Sequence, residues 1–185
     1  MRFDQVVATQ KDSGVFDHPC HKALLAELVN VLNLIPAINS SSFDRKRSIR
    51  DTLMSQLKPE LGWVHQLLGV ESVPPNLHKN NYVVDFAKDS NLSDCTQRHR
   101  VLVEICFDNR QAIGTNIFKI ESASRSFREK TGGEAIGIIV CADRKTLKIG
   151  GWDPGVADDE EYEVAIDTAY ASFLSSAMSL LVIRS

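Results

Sequence analysis

The sequence predicts an α/β fold: a mixed central β-sheet flanked by helices, in a single domain spanning residues 1–185. Three observations carry this expectation. Apolar residues recur at helical spacing in the first third of the chain; short β-branched and aromatic runs follow from residue 82; and an almost unbroken apolar run at 135–141 reads as a strand covered on both faces. A chain of 185 residues suits one core. No repeat, low-complexity tract or linker divides it.

Over residues 19–35, Ala23, Leu24, Leu28, Val31, Leu32 and Ile35 mark one helical face, with Pro19 suited to the first turn and Pro36 ending it. A second helix starts near Asp44, an acceptable N-cap, carries Ile49, Leu53 and Leu57 inward, and is closed by Gly62-Trp63. Residues 72–81, with Pro74-Pro75 and several Asn, read as a loop. Tyr82-Val83-Val84-Asp85-Phe86 then favours a strand, residues 88–97 a turn, and Arg100-Val101-Leu102-Val103-Glu104-Ile105-Cys106-Phe107 a second strand. The two are expected to pair as an antiparallel hairpin.

Residues 116–130 are helical, with Ile117, Ile120, Ser124 and Phe127 on one face and Gly132-Gly133 at the end. After the apolar strand at 135–141, residues 145–149 read as a shorter strand and 150–159 as a Gly- and Asp-rich loop. A last helix at 167–178 leads to Leu180-Leu181-Val182-Ile183, an expected edge strand.

A formal net charge of −3 gives no overall basic signature for nucleic acid. It does not exclude one, because carboxylates that hold a metal offset basic residues elsewhere. Three basic clusters stand out: Arg45-Lys46-Arg47 with Arg50, Arg98-His99-Arg100, and Arg125 with Arg128 and Lys130. Each alone is as well explained by a solvated face. No segment has the apolar length of a bilayer span, and the first ten residues lack a secretory pattern, so a cytoplasmic protein with no membrane partner is expected.

Cys20, Cys95, Cys106 and Cys141 contain no CxxC pair, which suits reduced thiols better than a disulfide frame. His18, Cys20 and His21 are metal-ligand types, but no second half with zinc spacing follows. They read as a polar lead-in to the first helix.

The informative feature is one carboxylate in each arm of the hairpin, Asp85 and Glu104. Charged residues inside apolar strands are usually paired or metal-bound. If the strands pair, both carboxylates reach one point at the end of the sheet, as a hard divalent cation requires. Such a cation polarises a phosphoryl oxygen and activates water. The alternative is that both lie on a solvated sheet face, or form ion pairs with Arg100 or Lys119.

The segments Val84-Asp85-Phe86, Val103-Glu104-Ile105-Cys106-Phe107-Asp108-Asn109-Arg110 and Asn116-Ile117-Phe118-Lys119-Ile120 resemble, in that order, the active-site core of the BglII/BstYI-like type II restriction endonucleases, a branch of the PD-(D/E)XK nuclease superfamily. The likeness extends more loosely from about residue 48 to 183, taking in Gly62-Trp63, Gly137-Ile138-Ile139-Val140, Asp153-Pro154-Gly155-Val156-Ala157 and Glu161-Tyr162-Glu163.

That resemblance implies a restriction-endonuclease-like fold and Mg²⁺-dependent, sequence-specific hydrolysis of double-stranded DNA by a homodimer in a restriction-modification setting. It makes Asp85 and Glu104 the metal ligands, joined by the main-chain carbonyl of Ile105 or Cys106. Asn109 and Arg110 would face DNA. The loop at 151–159 would reach base edges, with Asp153 and Asp158 as readers. The first helix is a candidate dimer surface, with core packing as its other reading.

Two features depart from the family pattern. Cys106 stands where that pattern has Lys, Gln or Glu, and a thiol is a weak donor. Water activation would then fall to the metal, Lys119, Glu71 or Glu60, or catalysis would be impaired. The eighteen residues between Asp85 and Glu104 make a long connection, whose Arg98, His99 and Arg100 would contact phosphates or solvate a hairpin tip. The rival readings are a catalytically impaired DNA-binding or interaction protein on the same fold, and a structural α/β domain. No G-x-S-x-G, phosphate-binding Gly-rich loop or HExxH occurs.

Overall fold

The structure, a computed structural model, describes residues 2–7, 14–33, 42–70, 73, 78–90, 95 and 97–184. Six strands form one sheet: β1 (Arg2–Val7), β2 (Trp63–Leu68), β3 (Val83–Asp89), β4 (His99–Ile105), β5 (Glu134–Ala142) and β6 (Ala177–Arg184). Their order is β1-β6-β5-β4-β3-β2. β4, β5 and β6 run parallel in the middle, and antiparallel β3 and β2 on one side and β1 on the other make the sheet mixed.

Helices cover both faces, as parallel strands buried on two sides require. On one face, α1 (Gly14–Asp17), α2 (Pro19–Leu32) and α3 (Ser42–Gln56) pack Leu24, Leu28, Leu32, Ile49, Leu53 and Leu57 against Val101, Val103, Ile136 and Ile138. The apolar stripe of α2 is thus spent inside the core, and the expectation that it forms a dimer surface gives way to packing.

On the other face, α4 (Ile113–Thr131) lays Ile117, Ile120 and Phe127 over Leu102, Ile139 and Leu180. Gly132, left-handed at φ 68°, ends α4 as expected. Gly137 lets α4 approach closely, since a Cβ there would collide with the Ile120 side chain.

Four expectations are corrected. Residues 145–149 are not a strand but part of α5 (Arg144–Ile149), because Asp143 caps it by accepting the Thr146 N–H at 2.7 Å. The last helix starts earlier than expected. Asp158 and Glu161 form a capping box that begins α6 (Asp159–Val164), and a π-helical turn, Ala165–Ala169, ends it. The strand that follows is interior rather than an edge, because β1 pairs along it from Arg2↔Arg184 to Val7↔Ser179. Gly62, left-handed at φ 86°, closes a 3₁₀ turn at Pro59–Leu61 rather than a helix, and β2 begins at Trp63.

The cysteines are also corrected. Cys20 and Cys95 are joined, with their Cα atoms 6.3 Å apart, while Cys106 and Cys141 are free and buried. The joined pair is 75 residues apart in sequence, so only the fold brings the two together. Among the described residues no helix is long and apolar enough to cross a membrane.

Candidate active site

The β3–β4 ladder runs from Asp89↔Arg100 to Phe86↔Val103. One step further each strand carries a carboxylate, and the pairing changes character. The Asp85 N–H donates to Oε2 of Glu104 at 3.1 Å, and the Ile105 N–H donates to Oδ2 of Asp85 at 2.9 Å. Each carboxylate therefore satisfies a backbone donor of the opposite strand. This geometry holds both side chains at the carboxyl end of parallel strand β4, where open α/β sheets place their ligands.

Lys119 completes the cluster. α4 crosses over β4 and brings Nζ of Lys119 to 2.5 Å from Oε1 of Glu104. Two readings held apart in the sequence are both realised: the carboxylates converge, and Glu104 is ion-paired with Lys119. Burial, followed by the nearby Asp85 charge, pushes the Glu104 carboxyl up to about 8, with Lys119 pulling against them. Burial opposes the Lys119 ammonium, but Glu104 and Asp85 outweigh it and hold it above its ordinary value.

The donor set suits a hard divalent cation. Asp85 and Glu104 offer carboxylate oxygens, the Ile105 carbonyl is the neutral oxygen nearest in sequence, and a carboxyl raised by burial and then by its neighbour gains from a cation.

Cys106 lies on the same strand face two residues beyond Glu104, yet it is fully buried. The Tyr162 hydroxyl bonds its sulfur and accepts from Asn116 Nδ2 at 3.0 Å. Burial, then the Glu104 charge, raises the thiol well above its ordinary value. Cys106, which stands at the catalytic position of the family pattern, is here a packed, protonated thiol. Glu71 lies outside the described residues. Glu60 is exposed on the turn before β2.

The residues expected to meet DNA separate into groups. Arg98 and Arg100 stand at the start of β4, roughly 13–20 Å from Glu104 by strand rise. Arg100 is bound through two nitrogens to Asp89, at 2.5 and 3.0 Å, and lies over the Phe127 ring. Its guanidinium is thus partly engaged within the fold, and Arg98 is exposed.

The segment after β4 and the loop at 150–158 lie at the same end as the carboxylates, joined by an Asn109↔Val156 bridge and by the Ala157 N–H donating to Asp108 O at 3.0 Å. Asn109 caps a short turn by accepting the Gln111 N–H at 2.8 Å. Arg110 pairs with Glu161 and donates to the Pro154 carbonyl at 2.8 Å. Asp153 is exposed, its Oδ1 accepting the Gly155 N–H at 2.7 Å. Asp158 is buried, caps α6 and pairs with Arg144 at 2.5 Å. Both of its carboxylate oxygens are thus engaged within the fold.

Gln66 was not foreseen. The β2–β3 register passes from His65↔Phe86 to Leu67↔Val84, so Gln66 stands opposite Asp85. It is exposed and left-handed at φ 54°, a conformation costly for a residue with a Cβ. Its segment follows the helix end expected at Gly62-Trp63 and carries no assignment in the sequence, and nothing in the residue types marks the turn.

The structure is similar to the crystal structure of restriction endonuclease BGLII complexed with a DNA 16-mer, at a TM-score of 0.59 and 14% identity, covering 98% of this chain and 76% of that one. The fold is restriction-endonuclease-like. No family model and no curated protein matches the sequence. At this identity the likeness speaks for architecture.

Proposed function

We propose that the protein is a Mg²⁺-dependent deoxyribonuclease, a type II site-specific endonuclease that hydrolyses phosphodiester bonds of double-stranded DNA. The observation that carries this reading is the reciprocal bonding of Asp85 and Glu104 at the carboxyl end of β4, with Lys119 against Glu104. Asp85, Glu104 and the Ile105 carbonyl would hold the magnesium ion. When bound, the ion supplies Lewis-acid polarisation of the scissile phosphate and lowers the pKa of water.

The chain's own residues do the rest. Lys119 delivers from α4 the ammonium that the family pattern carries where Cys106 stands, and it favours negative charge developing beside Glu104. The Asp85 and Ile105 N–H bonds fix both carboxylates before substrate arrives, so little reorganisation remains. Asn109, Arg110 and Asp153, at the same end of the sheet, are the candidate DNA contacts. A homodimer follows from the two-fold symmetry of a palindromic site.

Cys106 favours a second reading, a DNA-binding protein that has lost catalysis, because a thiol packed under Tyr162 presents no charged group to the site. One experiment separates them. Purified protein and its Glu104→Ala variant are incubated with unmethylated phage DNA in Mg²⁺ or EDTA. Discrete Mg²⁺-dependent fragments that the variant does not produce support the nuclease. Retarded but uncut DNA in Mg²⁺ and Mn²⁺ supports the binding protein.

A further inference from the structure

A second cluster of ligand-type side chains lies at the opposite end of β4. His18 precedes α2, and its Nδ1 accepts the Cys20 backbone N–H at 3.3 Å, which holds the ring against the helix start. The fold brings Cys95 onto Cys20 and sets the His99 ring against His18, with centroids 4.3 Å apart. The ligand atoms of His18, Cys20 and His99 all lie within 4.8 Å of one another, and the Cys95 sulfur is joined to that of Cys20.

The sequence thus does contain a second half: His18-x-Cys20 is completed by Cys95-x₃-His99, across a gap that hides the relationship. We propose that His18, Cys20, Cys95 and His99 form a structural zinc site that ties the start of α2 to the start of β4.

A disulfide accounts for the two sulfurs but not for the imidazoles around them. His99 is 1% exposed, and its Nδ1 has no hydrogen-bond partner among the described residues, an unfavourable arrangement for a buried polar atom. The Glu134 carboxylate lies 3.8 Å from that nitrogen, beyond hydrogen-bond reach, and leaves it unpartnered. His21, also buried, packs edge-on to His99 and donates from Nδ1 to the Val15 carbonyl, 2.9 Å away, which fixes the wall of the site.

Tetrahedral zinc, with bonds of about 2.0–2.3 Å to nitrogen and sulfur, sets its ligand atoms roughly 3.3–3.8 Å apart, a small contraction for His18, Cys20 and His99, while the two sulfurs must separate to that distance once reduced. Two thiolates and two neutral imidazoles cancel the ion's charge, which suits a buried site. The disulfide and zinc forms are alternatives. A thiol reductant gives two electrons and two protons to the disulfide, becoming oxidised itself, and zinc then displaces both protons from the dithiol.

The test uses the full chain, purified with a reductant and no chelator, and reads metal content by mass spectrometry. About one zinc per chain is expected, and the cobalt-substituted protein should show thiolate-to-cobalt charge transfer with tetrahedral d–d bands. Cys20→Ser and Cys95→Ser should lose zinc at least about tenfold, while Cys141→Ser and Glu104→Ala keep it, which separates this site from the carboxylate site. Alkylation of the unmodified chain gives a readout that does not depend on variant folding: Cys20 and Cys95 should be protected until a chelator is added. A reduced chain with less than about a tenth of a zinc per molecule, and a cobalt spectrum without thiolate bands, overturns the proposal.

Discussion

Asp85 and Glu104 each accept a backbone N–H from the other's strand, Glu104 from Asp85 itself and Asp85 from Ile105. The carboxylates thus occupy places where the sheet would otherwise make its next ladder bonds. Charge is built into the sheet terminus rather than hung upon it. Asp85→Asn keeps the shape and one acceptor oxygen but removes the charge. Cleavage of phage DNA by that variant should fall at least about 100-fold with its far-ultraviolet circular dichroism unchanged. Retention of activity within tenfold would remove Asp85 from the metal site.

Glu104 makes stability depend on pH. Its folded-state value of about 8 lies above the ordinary 4.5, so between those limits the metal-free folded chain holds a proton that the unfolded chain has released. This contribution is complete below about pH 4.5 and declines as pH rises through about 8, levelling above it. Urea melts in EDTA at a series of pH values should show that decline, and Glu104→Gln should flatten it. By the same linkage, divalent cations should bind more tightly as pH rises towards 8.

Lys119 stands 2.5 Å from Glu104 and is the cation brought to the site by α4. Lys119→Met should lower the cleavage rate roughly 100-fold to 1,000-fold, the cost of losing one preorganised charged donor. Single-turnover rates at saturating DNA would isolate this loss from binding. An unchanged rate would assign Lys119 to structure alone.

Glu121 has the opposite pH sense. Burial would raise its carboxyl, but hydrogen bonds from Ser175, Arg125 and Ser176 together outweigh that and hold it below its ordinary value. Its contribution is present above the unfolded carboxylate range and is lost as pH falls through the folded value. Glu121→Ala strands the Ser175 and Ser176 donors and should cost about 2 kcal/mol near neutral pH, less in acid. Denaturation midpoints at pH 7 and pH 3 would reveal whether the gap closes.

Gly137 sits where α4 passes closest over β5. Gly137→Val should destabilise the fold by about 1–3 kcal/mol, since Ile120 and Met178 occupy the space a side chain needs. Thermal melting of that variant, set beside Gly14→Ala at a position with open space, gives the comparison.

Much of this architecture was legible in the sequence because period and burial agree there. The Leu24/Leu28/Leu32 stripe, the apolar run of β5 and the placement of Asp85 and Glu104 in adjacent strands all follow from local pattern. What failed was decided at a distance or by a cap. The residues of α5 look like strand until Asp143 is seen to cap them, and β6 looks like an edge until Arg2–Val7 pairs with it. Lys119 was foreseen both as a participant and as an ion-pair partner of the carboxylates. The link between His18-Cys20 and Cys95-His99 crosses 75 residues from one cysteine to the other, beyond the reach of spacing arguments.

Gln66 has a bearing on how these molecules behave when crowded. β2 borders the sheet, and a straight border strand presents a regular row of N–H and C=O groups onto which a strand from a neighbouring molecule can zip. A left-handed residue in the middle of β2 turns that row out of line after three residues. The same kink that faces Asp85 therefore leaves a stranger's strand no unbroken template on this side, and works against growth into a fibre.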